Sequence, residues 1–227
     1  MNRIIACAVC VILAELMRVS GTPEILASGD CMTALYTVVN LEKLKDIFVQ
    51  IQFILMYLIP VLFTAVDVNE YIGNSVFLKM RFQSQREYRR YINRKIMTVS
   101  LRYTLVTAVA ITAVGEVQRI GNQWNLLLLT AVNLYLIQWA FSEWFLLLRT
   151  KLKSEEAMVL IIAAVVMLGS GGIMAVYFQI QTQVSFLPIM NMPSVGSASI
   201  QMIQLIPALV FGLIGTVINQ MMGSKQL

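Results

Sequence analysis

The sequence predicts an all-α polytopic membrane protein with about six transmembrane helices and a cytoplasmic N-terminus. Three observations predict it. Of 227 residues, 58% are hydrophobic and only 13% are charged, where a soluble domain carries about a quarter charged residues. The apolar residues fall into six runs of roughly the length that crosses a bilayer, about 20 residues each. Lys and Arg concentrate in alternate connections between those runs, the pattern that fixes orientation.

Each run has its own boundary signals. The first covers residues 4–19, after Arg3. Its basic start and apolar centre resemble a signal peptide. However, Glu15 and Arg18 occupy the place where a cleavage region is small and neutral, so a retained helix is expected. A polar stretch with Gly21, Pro23, Gly29 and Asp30 follows, and residues 33–46 suit a short amphipathic helix. The second span covers 47–66 and contains Pro60, which a membrane helix tolerates as a kink. A basic segment, 67–95, leads to the third span at 96–114. The fourth span covers 124–148, the fifth 157–178 and the sixth 200–221. Residues 179–200 carry no charge but hold Pro188, Pro193 and Gly196, which suits an extracytoplasmic re-entrant segment. The whole chain reads as one transmembrane domain.

With the N-terminus inside, the cytoplasmic pieces hold twelve Lys and Arg residues, against Lys43, Lys45 and Arg119 outside. This distribution also accounts for the net charge of +5 without a nucleic-acid partner. The lipid bilayer is the partner that composition implies.

Composition narrows the chemistry. Histidine is absent, which removes imidazole as base, proton shuttle or metal ligand. Cys7 and Cys10 have a C-x-x-C spacing, but inside an apolar run they read as two small apolar residues; Cys31 has no partner on its side, and no disulfide is expected. No nucleotide-binding motif occurs. Gly169-Ser170-Gly171-Gly172 lacks the Lys-Ser or Lys-Thr of a phosphate loop, and Ser170 has no histidine to activate it. Gly169, Gly171 and Gly172 instead suit close helix contact, including contact between subunits, and Gly212 and Gly215 suit the same role. No catalytic residue, cofactor site or metal site is expected.

Polar residues inside apolar runs are costly and mark possible function. Glu15 and Arg18 stand at i, i+3 near the outer end of span one, as an interfacial pair or an outer gate. Arg102 lies two turns into span three and either snorkels to the inner surface or meets Glu143 of span four. Asn133 and Gln138 suit bonds between helices or a polar pathway. Met190 and Met192 give the outer segment an adaptable apolar surface.

Segment 67–95 carries seven basic residues, with Tyr71, Val76, Phe77, Met80 and Phe82 interleaved. The pattern suits an amphipathic helix on the inner membrane surface, able to contact anionic lipid or to dock another protein. It also shows an acidic residue, Glu70, then Gly73-Asn74, then Arg81, Ser84 and Arg86, then Lys95 at the start of span three. In this order of residues, and in its six-span layout, the chain resembles the type-2 ABC exporter permeases. Small permeases of bacteriocin or lantibiotic export and self-immunity in Gram-positive bacteria are the nearest likeness.

That resemblance implies a permease in the bacterial cytoplasmic membrane, energised by a separate cytoplasmic ABC ATPase dimer that binds the ATP. Glu70, Gly73, Asn74, Phe77, Arg81, Ser84 and Arg86 would couple the two proteins. A second permease copy or a sister permease would complete the pathway, and a hydrophobic or amphipathic peptide would be the cargo. Two other readings stay open: a substrate-binding membrane subunit of an importer, and a membrane immunity or accessory protein that transports nothing. An intramembrane enzyme is disfavoured, because no carboxylate cluster or activated nucleophile is visible.

Overall fold

A computed structural model describes residues 2–20, 47–73, 82, 84–114, 124–177 and 198–224. Among these residues the chain is all-α, with six helices and no strand. They are α1 (Asn2–Ser20), α2 (Ile47–Gly73), α3 (Gln85–Val114), α4 (Trp124–Arg149), α5 (Ser154–Tyr177) and α6 (Ala198–Ser224). One helix corresponds to each apolar run of the sequence.

Two helices run well past the hydrophobic boundaries. α2 continues beyond Val66 to Gly73, and α3 begins at Gln85, eleven residues before the apolar run. Helix ends follow backbone punctuation, and neither 67–72 nor 85–95 contains Gly or Pro. Ser84 caps α3: its Oγ accepts the Glu87 N–H at 3.2 Å, and its carbonyl accepts the Tyr88 N–H at 3.2 Å. α3 is therefore about 45 Å long at 1.5 Å per residue, longer than the roughly 30 Å hydrocarbon core of a bilayer. Much of the expected 67–95 connection is continuous helix. An amphipathic helix within 74–81 falls outside the described residues.

The α4–α5 connection is tight. Thr150, Lys151 and Leu152 donate their N–H groups back to the carbonyls of Leu147 and Leu148. Arg149 Nη1 donates to the Leu152 carbonyl at 3.0 Å. At the start of α5, Glu156 Oε2 accepts the Lys153 N–H at 3.1 Å, half of a capping box.

Side-chain contacts fix the relative directions of the helices. Phe63, Asp67 and Tyr71 of α2 meet Tyr103, Tyr103 and Lys95 of α3, so these two run antiparallel. Thr64 and Asn69 of α2 meet Gln138 and Arg149 of α4, so these two run parallel. α6 runs parallel to α4, since Trp139 meets Gly212 while Glu143 meets Asn219. The N-terminus of α1 lies beside the C-terminus of α2. One end of the bundle thus collects Arg3, the 85–95 half of α3, and the 149–156 turn. Among the described residues, every Lys and Arg except Arg18 and Arg102 sits at or near this basic end.

The core is apolar and centred on α2, α3 and α4, with Val61, Ala65, Ile96, Val99, Tyr103, Ile137, Phe141 and Phe145 buried. The outer faces are apolar as well. Leu101, Leu105 and Val109 of α3 are exposed, as are Val159, Val166 and Met167 of α5, and Leu209, Leu213 and Val217 of α6. One described stretch, Ala131–Arg149, is long and apolar enough to cross a membrane; Arg3–Ala14 and Leu205–Met221 are shorter apolar stretches.

Candidate functional site

The basic end is organised by the last two turns of α2, Asp67-Val68-Asn69-Glu70. Successive helical residues point about 100° apart, so three polar residues within four positions address three neighbours. Asp67 Oδ1 accepts Arg3 Nη1 at 3.0 Å, and Asp67 Oδ2 accepts the Tyr103 hydroxyl at 2.9 Å. Asn69 Oδ1 accepts Arg149 Nε at 2.9 Å. Glu70 pairs with the other nitrogen of Arg3. One short segment is thereby fastened to α1, to α3 and to the α4–α5 turn.

The electrostatics are those of a charge clasp in contact with water. The hydrogen bond from Arg3 holds the Glu70 carboxyl below the usual carboxylate range. The same clasp raises the Arg3 guanidinium above its ordinary value, through Glu70 first and Asp67 second. Both Arg3 and Glu70 are well exposed, so the clasp positions the helix ends more than it stabilises them.

Beyond this junction, aromatic residues close the base of the 74–81 connection. The Phe82 ring lies 5.8 Å from Tyr88 and 5.3 Å from Tyr91. Lys95 Nζ stands 5.6 Å from the Tyr71 ring and 5.4 Å from the Tyr91 ring, a cation–π bridge between α2 and α3. Tyr88 and Ile92 are buried beside it.

A second set of polar groups lies in the interior. Ser100, Thr104 and Thr107 form one stripe of α3, and Asn133, Gln138 and Glu143 lie along α4; all six are at least 97% buried. Each has a side-chain atom with no hydrogen-bond partner: the three hydroxyls, Asn133 Oδ1, Gln138 Nε2 and Glu143 Oε1. Helical hydroxyls usually bond back to the carbonyl one turn earlier. Thr98, Thr112 and Ser142 do so, at 2.8, 3.0 and 2.7 Å. The three stripe hydroxyls do not. Each unmet buried polar group costs about 1–3 kcal/mol.

α4 is closely fitted to α6, and Glu143 lies within that contact. Asn219 Nδ2 spends both hydrogens on Glu143, one on its carbonyl at 2.8 Å and one on Oε2 at 3.0 Å. The Trp144 indole N–H donates to the Phe211 carbonyl at 3.1 Å, and the two rings stack with centroids 5.0 Å apart. Gly212 lies under the Trp139 ring, and Gly215 faces Glu143 Cβ and the Trp144 ring at 3.2 Å from where a Cβ would stand. These two glycines serve close helix contact.

The residues singled out by sequence distribute as follows. Glu70 and Gly73 end α2, Ser84 caps α3, and Arg86 lies in the first turn of α3. Asn74, Phe77, Arg81, Met190 and Met192 lie outside the described residues, as does residue span 179–197 of the re-entrant segment. Glu15 and Arg18 lie on α1, and Gly169, Gly171 and Gly172 on α5; the side-chain surroundings of these five, and of Arg86, also fall outside what is described. Asn133 is buried on α4, with its Oδ1 unpartnered. Arg102 is exposed and does not meet Glu143, whose carboxyl is bonded by Asn219 and Trp139. Cys7 and Cys10 are free thiols, one buried and one exposed.

Asp67, Asn69, Tyr103 and Arg149 escaped sequence reasoning as a set. The one available signal was D-x-N-E at the end of an apolar run, with Asp67 and Glu70 on one face at i, i+3 and Asn69 turned to another. No protein family, curated protein or solved structure matches the chain.

Proposed function

We propose that the chain is the transmembrane permease subunit of an ATP-driven exporter in the bacterial cytoplasmic membrane. Its six helices span the bilayer, and it has no catalytic chemistry of its own. The membrane reading is supported by the apolar outer faces of the bundle. In water, exposed patches of that extent mark interaction surfaces or aggregation, whereas in lipid they need no further cover. The concentration of the described basic residues at one end supports a cytoplasmic placement of that end.

One observation carries the exporter reading. The α2–α3 connection is the place where two helices leave the apolar layer, and its base is joined to the rest of the bundle. Asp67, Asn69 and Glu70 link it to Arg3, Tyr103 and Arg149, while Phe82, Tyr91 and Lys95 close it laterally. A push delivered at this connection would reach α1, α3 and α4 together. That is what a permease needs at the contact with a cytoplasmic ABC ATPase dimer. A second permease copy, or a sister permease, completes the assembly, and a hydrophobic or amphipathic peptide of the bacteriocin or lantibiotic kind is the proposed cargo.

The test is purification of the tagged protein from its native membrane in mild detergent, with identification of what accompanies it. An ATPase subunit is expected, and it should be lost when Arg81 and Arg86 are changed to Glu. Folded protein that brings down no ATPase, even after cross-linking from residues 67–82, would overturn the reading in favour of an immunity or accessory role.

A further inference from the structure

Helix α3 carries one exposed strip that changes character along its length. Arg94, Thr98, Leu101, Arg102, Leu105 and Val109 are all exposed. At 100° per residue they fall within an arc of about 100°. Arg90, one turn beyond Arg94, is exposed as well. Toward the basic end the strip is charged. Past Arg102 it is apolar, with Leu105 and Val109 at 56% and 66% exposure. After Glu87, α3 holds no carboxylate.

Arg102 stands where the strip changes. Its neighbour Tyr103 bonds Asp67, which also holds Arg3. Helical side chains lean toward the N-terminus of their own helix, which for α3 is the basic end. The Arg102 backbone therefore lies about one turn inside the Arg3–Asp67 pair, and its guanidinium can reach the level of that pair. The carboxylates near that level are taken. Asp67 Oδ1 accepts Arg3 and Oδ2 accepts Tyr103, while Glu70 pairs with Arg3. Among the described residues no carboxylate bonds Arg102, so its counter-charge comes from outside the chain. An outward-facing arginine between a basic helix end and an apolar face meets one abundant anion in a bilayer, the lipid phosphate.

We propose that this strip is a seat for an anionic membrane phospholipid. Arg102 holds the phosphate, and an acyl chain lies along Leu105 and Val109. Arg90 and Arg94 favour a headgroup of net negative charge over a zwitterionic one. The proposal rests on the membrane reading of the chain and is independent of the exporter reading. A guanidinium suits the site because its planar N–H fork matches two phosphate oxygens at once.

Native mass spectrometry of the full chain, released from maltoside micelles, tests this. Phosphatidylglycerol and phosphatidylcholine are supplied in equal amounts. The wild type should retain phosphatidylglycerol in preference. Arg102→Gln should lower that preference about fivefold, the effect of one arginine at an anionic lipid surface. Arg102→Lys keeps the charge and should retain most of the preference. Lys151→Gln removes an exposed cation from the α4–α5 turn and should leave it unchanged.

Equal losses in Arg102→Gln and Lys151→Gln would overturn the seat, because the preference would then follow net charge alone. A dimer that holds no lipid and that Arg102→Gln dissociates would overturn it in favour of a second copy of the chain on the strip. Alkaline carbonate extraction of native membranes is read alongside. Protein that stays with the membrane but shows no lipid preference keeps the membrane reading and loses the seat; protein released by carbonate loses both.

Discussion

Helix α4 presents two unlike faces. Toward α6 the contact is close and bonded: two glycines lie under Trp139 and Trp144, Asn219 uses both amide hydrogens, and Trp144 reaches the Phe211 carbonyl. Toward α2, the same helix contributes Gln138, whose Oε1 lies 3.3 Å from Thr64 Oγ1 and whose Nε2 is left unpaired. In lipid, helices associate through packing and hydrogen bonds, since the hydrophobic effect does not favour protein over acyl chains. The first face has both contributions and the second gives up part of one. The difference makes the α4–α6 contact the more tightly fixed of the two.

The largest effect is expected where packing is tightest. A Cβ at Gly212 would lie 2.7 Å from Trp139 Cε3, so Gly212→Val should destabilise the protein by about 3 kcal/mol through overpacking. Thermal unfolding in maltoside micelles measures it; a change below 0.5 kcal/mol, on the scale of ordinary surface substitutions, would break the idea of a fixed pair. Asn219→Ala removes both bonds to Glu143 and should cost about 2 kcal/mol, read in the same assay.

The buried hydroxyls of α3 should answer in the opposite sense. Thr104→Val and Thr107→Val keep shape and delete an unpartnered hydroxyl, so stability should hold or rise by up to about 1 kcal/mol. Losses as large as that of Asn219→Ala would mean that the hydroxyls have partners, and their contrast with the α4–α6 contact would disappear.

The smallest effect is at the exposed clasp. The folded-state carboxyl of Glu70 titrates below its unfolded value. The clasp therefore stabilises at pH above the unfolded value of about 4.3 and is lost as pH falls through the lower folded value. The Tm difference between wild type and Glu70→Gln should be small at pH 7 and vanish in acid. A difference that grows in acid would show that the clasp has been misread.

Much of the fold was legible in the sequence. Six apolar runs separated by charge or proline became six helices, and Lys and Arg marked one end. The helix limits were less legible. Hydropathy marks where a chain leaves an apolar layer, and α2 and α3 stay helical well past that point. Ser84-x-x-Glu87 was the local sign that α3 starts early.

The site was legible only in its parts. Asn133 and Gln138 stood out as polar residues within a run, but which of their atoms lacked partners depends on how three helices pack. The junction of Arg3, Asp67, Tyr103 and Arg149 joins residues from 36 to 80 positions apart, beyond the reach of any local spacing rule. The alternative pairing of Arg102 with Glu143 failed for the same reason. Rotation about α3 turns Arg102 outward, and Asn219, 76 positions away from Glu143, takes the contact.

The uninterrupted length of α3 makes it a lever. Its fulcrum is the Tyr103–Asp67 bond. About 27 Å of helix lies on the basic side of that point and about 16 Å on the other, from Gln85 to Val114 at 1.5 Å per residue. A sideways movement at the basic end would arrive at the far end reduced by a factor of about 1.6 and reversed in direction. Thr104 and Thr107 lie just past the fulcrum and Ser100 just before it. A tilt of this rod would therefore swing the two ends of its hydroxyl stripe in opposite directions.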